Sequence, residues 1–211
     1  MTHPPATIGL VDDHNVTPSN SRYIPLTQQK YCCVPTCIQM VMIRQGMPLM
    51  AAEEIGYHLG LIMPDEKEDT DLFWLPRTGE KPYAGWGVQI YNPEFSPDQA
   101  FRRLGIPLRM EFNLIDEFKT PAQARDYLER AEEADEDILM CYEFEKLFGQ
   151  HPGGHANVFD RMVDKDRVRM IDPGRFSPKW RVVSLEALFE AMEFHGADKY
   201  GGFWRLIRTD A

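Results

Sequence analysis

Between residues 34 and 45 the chain is apolar with few breaks. Val34, Cys37, Ile38, Val41 and Met42 recur at helical spacing on one stripe, and Met40 and Ile43 widen it round the cylinder. Thr36, Gln39, Arg44 and Gln45 are the distinctly polar positions. This pattern predicts a helix with protein on most sides, stopped by Gly46 and Pro48. A second helix is expected over 51–62. Ser96-Pro97-Asp98-Gln99 has the form of a capping box, with Ser96 as N-cap, and opens a helix that should end at Gly105. Thr120-Pro121-Ala122-Gln123 repeats the signal and starts a helix that runs into the acidic stretch 129–137, which reads as a solvated face.

The pattern then changes. Segments 138–144, 156–163 and 167–171 are strand-like, and Asp164-Lys165-Asp166 sits where a turn belongs. A helix follows over 185–194, with Leu185, Leu188, Phe189 and Met192 on its core face. Residues 202–208 read as a closing strand, with Tyr200-Gly201-Gly202 as the turn before it. Helices first and mainly strands later imply an α+β protein with a helical lobe and a sheet lobe. Residues 1–22 read as an irregular lead-in, and 23–211 as one domain. The stretch 64–87, with Phe73, Trp74 and Trp86, reads as a surface loop long enough to cover a cleft; Tyr91 joins those aromatics as a residue for lining the cleft or packing the loop.

Composition narrows the function classes. With 43% hydrophobic residues, twelve Phe, eight Tyr and four Trp in 211 positions, the chain can build a core without disulfide staples. A net charge of −10 argues against general affinity for nucleic acid or an anionic membrane. No segment approaches the ~20 apolar residues of a membrane span. The start, Met1-Thr2-His3-Pro4-Pro5, lacks the basic and apolar regions of a secretory signal, so a cytoplasmic location is the expectation. Cys32, Cys33 and Cys37 are too close together for a structural bridge, and Cys141 stands apart, which agrees with reduced thiols.

The candidate chemistry lies in Cys33, His155 and Asp172. Cys33 heads the first helix, where free backbone N–H groups and the macrodipole favour a thiolate. Cys37 lies a turn inside the apolar stripe and reads as core. Cys32 is the competitor, since a one-residue shift of the helix start exchanges the two roles. If the chain reverses near 164–166, the strands after His155 and before Asp172 are antiparallel neighbours, and their outer ends meet within a residue or two of register. Asp172 can then hold one imidazole nitrogen while the other faces Cys33 across a cleft, the set a thiol nucleophile needs. For the oxyanion, the backbone N–H of Cys33 is one donor. Gln28, ahead of Gln29, is the candidate for the other.

Tyr31-Cys32-Cys33-Val34-Pro35-Thr36-Cys37-Ile38-Gln39-Met40-Val41-Met42 resembles the nucleophile helix of papain-like cysteine peptidases of the bacteriocin-processing, double-glycine-leader type. Gly154-His155-Ala156-Asn157-Val158 resembles that family's Gly-His motif, and Ile171-Asp172-Pro173 its third triad motif. The resemblance spans about residues 23–208. It implies a papain-like two-lobed fold, Cys33 as nucleophile at the head of a central helix, His155 and Asp172 on the sheet lobe, and an upstream Gln at the oxyanion. Two departures stand out: Val34 occupies the family's usual Gly position, and the Gln spacing is slightly short.

The expected function is a cysteine peptidase-like thiol hydrolase that cleaves an amide bond in a peptide or protein substrate, with no cofactor. The alternatives are an acyl or peptidyl transferase using the same triad, or an inactive peptidase-like binding module. A metal site at Cys32, Cys33, Cys37, His151 and His155 is a weaker reading, because the cysteine spacing matches no zinc knuckle or ribbon.

Overall fold

The computed structural model describes residues 21–64 and 77–210. The apolar repeat forms helix α1 (Cys33–Arg44), and from Val34 to Met42 every residue but Gln39 is buried. Gln39 reaches out to donate to the Met50 carbonyl at 2.6 Å. Helix α2 (Ala52–His58) is shorter than the pattern suggested and ends ahead of a turn at Gly60. A short parallel pair follows, β1 (Ile62–Met63) with β2 (Arg77–Thr78). Phe73 and Trp74 lie outside the described residues, as does most of the lead-in over 1–22.

Helix α3 (Pro97–Leu104) ends at Gly105 as expected, but Ser96 makes no side-chain cap. A 3-10 turn at Pro93–Phe95 comes directly before it and supplies the competing acceptor. Gln99 donates to the Pro93 carbonyl at 2.8 Å instead of turning back to Ser96. At α4 (Pro121–Glu133) the cap does form, with the Thr120 hydroxyl accepting from the Gln123 N–H.

Six antiparallel strands make the main sheet: β3 (Leu108–Leu114), β4 (Asp137–Glu143), β5 (Gly154–Asp164), β6 (Arg167–Ile171), β7 (Trp180–Ser184) and β8 (Gly202–Arg208). Their order is β3-β8-β4-β5-β6-β7. Strands β3 and β7 and the short helix α5 (Phe144–Phe148) go beyond the elements the hydrophobic pattern indicated. Helix α6 (Leu185–His195) starts on a Ser184 cap, with the hydroxyl accepting from the Ala187 N–H at 3.1 Å.

Alternation along the strands builds a core on each face of the sheet. Leu139, Cys141, Ala156, Val158, Trp204 and Leu206 pack with α1 and with Ala100 and Phe101 of α3. Ile138, Met140, Tyr142, Phe159 and Phe203 turn the other way, onto Leu128 of α4, Phe148 of α5 and Leu188 and Phe189 of α6. The result is a mixed α+β protein with an antiparallel sheet covered by helices on both faces. Among the described residues no helix is long and apolar enough to cross a membrane, and all four cysteines are free thiols.

The acidic stretch 129–137 is not uniformly solvated. Asp137 is 2% exposed. One oxygen accepts from the Tyr23 hydroxyl at 2.6 Å and from Arg44 at 2.8 Å, and the other accepts from Gln45 at 2.6 Å. The strand starts one residue earlier than its apolar run, and that residue is carried inside against the end of α1. Three donors there compensate its lost hydration.

Candidate active site

Cys33 is the first residue of α1, with Cys32 at the cap position. Tyr31, at a φ of +63°, turns the chain into the helix, and the Cys32 N–H closes the turn on the Gln29 carbonyl at 3.0 Å. The helix start therefore sends the two neighbouring thiols in different directions. Cys32 is fully buried with Ala52 and Leu61. Burial, then the neighbouring Cys33 and Glu53, push its thiol up to about 12. Cys33 is half-buried at the cleft. Burial alone raises its thiol, but the hydrogen bond and charge of His155 outweigh that, and backbone hydrogen bonds from Ala156 and Val34 help to hold the thiol below its ordinary value. Cys37 is buried one turn along, its Sγ 3.3 Å from the Ala156 carbonyl, and burial raises it strongly.

His155 and Asp172 meet because of the β5–β6 register. Val158 pairs with Ile171, so Asp172 falls opposite Asn157 just past the end of β6, two residues along β5 from His155. His155 Nε2 lies 2.8 Å from Asp172 Oδ1, which leaves Nδ1 for Cys33. Burial lowers the imidazole, but the bonds to Asp172 and Cys33 win and bring it up to about 9. The ring also meets Phe144 edge-on, with centroids 4.9 Å apart. Burial raises the Asp172 carboxyl, while His155, the Gly174 N–H at 2.7 Å and Arg181 draw it down to about 2. Cys33 lowered and His155 raised are shifts in the direction that favours moving the thiol proton onto the imidazole.

Two glycines lie tight against side chains here. A Cβ on Gly154 would lie 2.5 Å from the His195 ring. A Cβ on Gly174 would lie 2.6 Å from Ser177 Oγ and 2.9 Å from Asp172 Oδ1. The missing side chain at Gly174 lets the backbone N–H come close to the Asp172 carboxylate.

Gln28 is tied to the same loop, its backbone N–H donating to the Pro173 carbonyl at 2.8 Å. Its side-chain Oε1 is buried and has no hydrogen-bond partner among the described residues. Gln29 contributes its backbone carbonyl to the turn before Cys33.

The cleft at Cys33 is narrow, with room for about 60 Å³, roughly two waters. Val34, Trp86, Tyr91 and Trp204 line it with His155 and His195. Trp86 and Tyr91 thus belong to the cleft wall. They are carried by a segment in which Gln89 bonds the Gly85 and Gly87 carbonyls at 3.2 and 2.8 Å and accepts from the Tyr91 hydroxyl. Tyr83, at the start of that segment, donates to Asp198 at 3.0 Å, next to the lining residues Ala84 and Lys199.

Two residues beside the site were not found from sequence. Arg181 Nε lies 2.7 Å from Asp172 Oδ2. His195 lies 3.3 Å from Glu143 and lines the cleft. A buried arginine in a short strand and a histidine at a helix end carry no local signal. Among the described residues no group of three or more His, Cys, Asp or Glu is placed to hold a metal ion.

No protein-family model matches the chain, and no curated protein matches its sequence. Among solved structures, the fold is similar to that of a protein from Bacillus anthracis taken to be a C39-like peptidase. The TM-score is 0.53 at 14% identity, over 88% of this chain and 94% of the other. At that identity the likeness carries the shared fold, helices around an antiparallel sheet, and leaves the chemistry to the residues themselves.

Proposed function

We propose that this chain is a cysteine peptidase-like thiol hydrolase of the double-glycine-leader type, acting on an amide bond of a peptide or protein through Cys33, His155 and Asp172. The observation that carries the reading is the placement of His155 between Cys33 and the buried Asp172, with Nε2 2.8 Å from Oδ1. The Cys33 thiolate adds to the carbonyl carbon. The backbone N–H of Cys33 and the side-chain amide of Gln28 stabilise the oxyanion. As the C–N bond breaks, the His155 imidazolium gives its proton to the leaving amine, and a thioester remains on Cys33. His155 then takes a proton from water, the hydroxide attacks the thioester, and the acid leaves with the Cys33 thiolate and His155 imidazolium restored. Asp172 holds the ring in the tautomer this cycle needs. In this reading residues 23–211 form one papain-like domain working in the cytoplasm. The α1 side and the sheet side make its two lobes, and neither nucleic acid nor membrane takes part.

The test is labelling with iodoacetamide and a peptidyl epoxide near pH 6.5 in wild type, Cys33→Ala and His155→Ala. Cys33→Ala should abolish labelling, and His155→Ala should slow it about tenfold or more, because an ordinary thiol is only about 1% ionised there. Equal labelling of wild type and Cys33→Ala would sink the assignment. A second reading, an inactive binding module of the same fold, is favoured by the small cleft and by the Tyr83–Asp198 contact beside it. Iodoacetamide labelling without turnover of any peptide in a library would select it. Added amine acceptors would expose a transferase through acyl-amine products.

A further inference from the structure

We propose that Arg181 is a positioning residue for the triad: it pins the outer oxygen of Asp172, so fixing the direction and the charge of the carboxylate that meets His155. The proposal rests on the thiol-hydrolase reading and adds a fourth side chain, set outside the cleft, to its machinery.

Arg181 is on β7, across the sheet from the cleft residues. It pairs in register with Met170 of β6, so its side chain crosses toward the end of β6 where Asp172 begins. Arg181 is 7% exposed and Asp172 is fully buried. The guanidinium carbon lies over the Phe148 ring, 4.0 Å from its centroid, and 5.9 Å from that of Phe144. Those aromatics belong to α5, which lies between β4 and β5, the strand that carries His155. The cation is therefore held by rings on one side and by Asp172 on the other. A rigid, planar, weakly hydrated guanidinium suits such a slot better than an ammonium.

Asp172 divides its two oxygens. Oδ1 faces His155 Nε2 at 2.8 Å and accepts from the Gly174 N–H at 2.7 Å. Oδ2 has Arg181 Nε at 2.7 Å, close in charge but off the line of a hydrogen bond, and no aligned donor among the described residues. The contact thus acts mainly through its field. Without it, a fully buried carboxylate would rely on His155 and one backbone N–H, and its outer oxygen would be free to rotate away from the ring.

The other charged or titratable groups around the pair are few. Cys33 and Cys37 approach from α1 and Tyr142 from β4. Lys179 sits in the loop between Asp172 and Arg181, with Nζ 2.8 Å from the Gly174 carbonyl. Glu143 is occupied with His195 and the Gly153 N–H. Arg181 is thus the cation in contact with Asp172 on the side away from the histidine. By partly neutralising Asp172 it restrains how strongly the carboxylate holds a proton on His155. That sets the upper pH limit of the thiolate–imidazolium pair.

The test is the pH profile of Cys33 alkylation by iodoacetamide, which needs no known substrate, in wild type, Arg181→Gln and Arg181→Lys. The expected result is an upper limb displaced upward by about one unit in Arg181→Gln, with Arg181→Lys, which keeps the charge but not the planar group, between Arg181→Gln and wild type. A folded Arg181→Gln chain with the wild-type limb overturns the proposal. If Arg181→Gln does not fold, the ¹³C shift of the Asp172 carboxyl in His155→Ala decides the matter. With the imidazolium gone, a carboxyl still titrating at or below about 3.9 supports the Arg181 contact, and one titrating above it refutes it. A wild type with no thiolate reactivity below pH 7 would instead sink the underlying hydrolase reading, which keeps the two failures apart.

Discussion

Replacing Asp137 by alanine tests whether the acidic stretch 129–137 contains a structural anchor. Asp137 is 2% exposed and accepts from Tyr23, Arg44 and Gln45 at 2.6, 2.8 and 2.6 Å. Breaking a buried ion pair by removing one partner costs about 3–5 kcal/mol, because the other charge is left uncompensated. Arg44 is only partly buried and also contacts Asp135, so its charge keeps a counterion and the lower end applies. The buried Tyr23 hydroxyl loses its acceptor, which keeps the cost from falling further. The expectation is a loss of about 3 kcal/mol, or a fall in Tm of about 6–12 °C for a chain of this length. Asparagine keeps one acceptor but sets its amide against the Gln45 amide, donor to donor, and should lose about 1–2 kcal/mol. Urea and thermal unfolding followed by circular dichroism measure both, with the exposed Glu133→Ala as a control expected within about 0.5 kcal/mol of wild type. Asp137 meets the end of α1 at Arg44, about 16 Å along the helix from Cys33. Alkylation of the folded variant should therefore match wild type. Loss of less than about 1 kcal/mol in Asp137→Ala would refute the anchor, and a changed alkylation rate would refute its separation from the site.

Three further outcomes follow from the site. Asp172 is held at about 2 against an ordinary 3.8, so its stabilisation is complete above the unfolded value and is lost as pH falls through the folded one. The stability gap between wild type and Asp172→Asn should narrow by about 2 kcal/mol from pH 4 to pH 2, and a gap independent of pH would contradict the linkage. Gly174→Ala places a Cβ 2.9 Å from Asp172 Oδ1; it should slow Cys33 alkylation below pH 7 at a stability cost of about 1 kcal/mol, and unchanged kinetics would rule out the steric argument. Tyr83→Phe with Asp198→Ala removes an exposed contact beside the cleft, worth at most about 1 kcal/mol. Labelling by a bulky peptidyl epoxide should rise by up to about fivefold while iodoacetamide labelling stays constant, and equal changes for both reagents would count against a steric barrier.

Much of the architecture was legible in local pattern. The near-continuous apolar repeat of α1 requires a helix wrapped in protein, and its first residue is where a thiolate is favoured. The turn at 164–166 implied the β5–β6 hairpin, and with it the approach of His155 to Asp172. Such features depend on periodicity and on neighbours close in sequence, so the chain states them directly. The Ser96 capping box failed because a carbonyl from the preceding 3-10 turn competed for Gln99. Strand β3 alternates through Leu108, Met110 and Phe112 yet was not among the expected strands, and in β7 the buried Arg181 stands at a core position and breaks the apolar pattern.

What the sequence by itself determined was the helix that presents Cys33, the hairpin that brings His155 and Asp172 together, and the α+β order of the elements. Tertiary structure decided which of two adjacent thiols faces the histidine. A left-handed turn at Tyr31 sends Cys32 into a small apolar cluster, where burial pushes its thiol up, and leaves Cys33 at the cleft beside His155. It also decided that Asp137 is buried rather than solvated, and that Arg181, two strands away from His155, lies against Asp172. The physical reason is the same in each case. Desolvation and pairing of charge depend on which distant groups the fold brings within a few ångströms, and no local pattern encodes that.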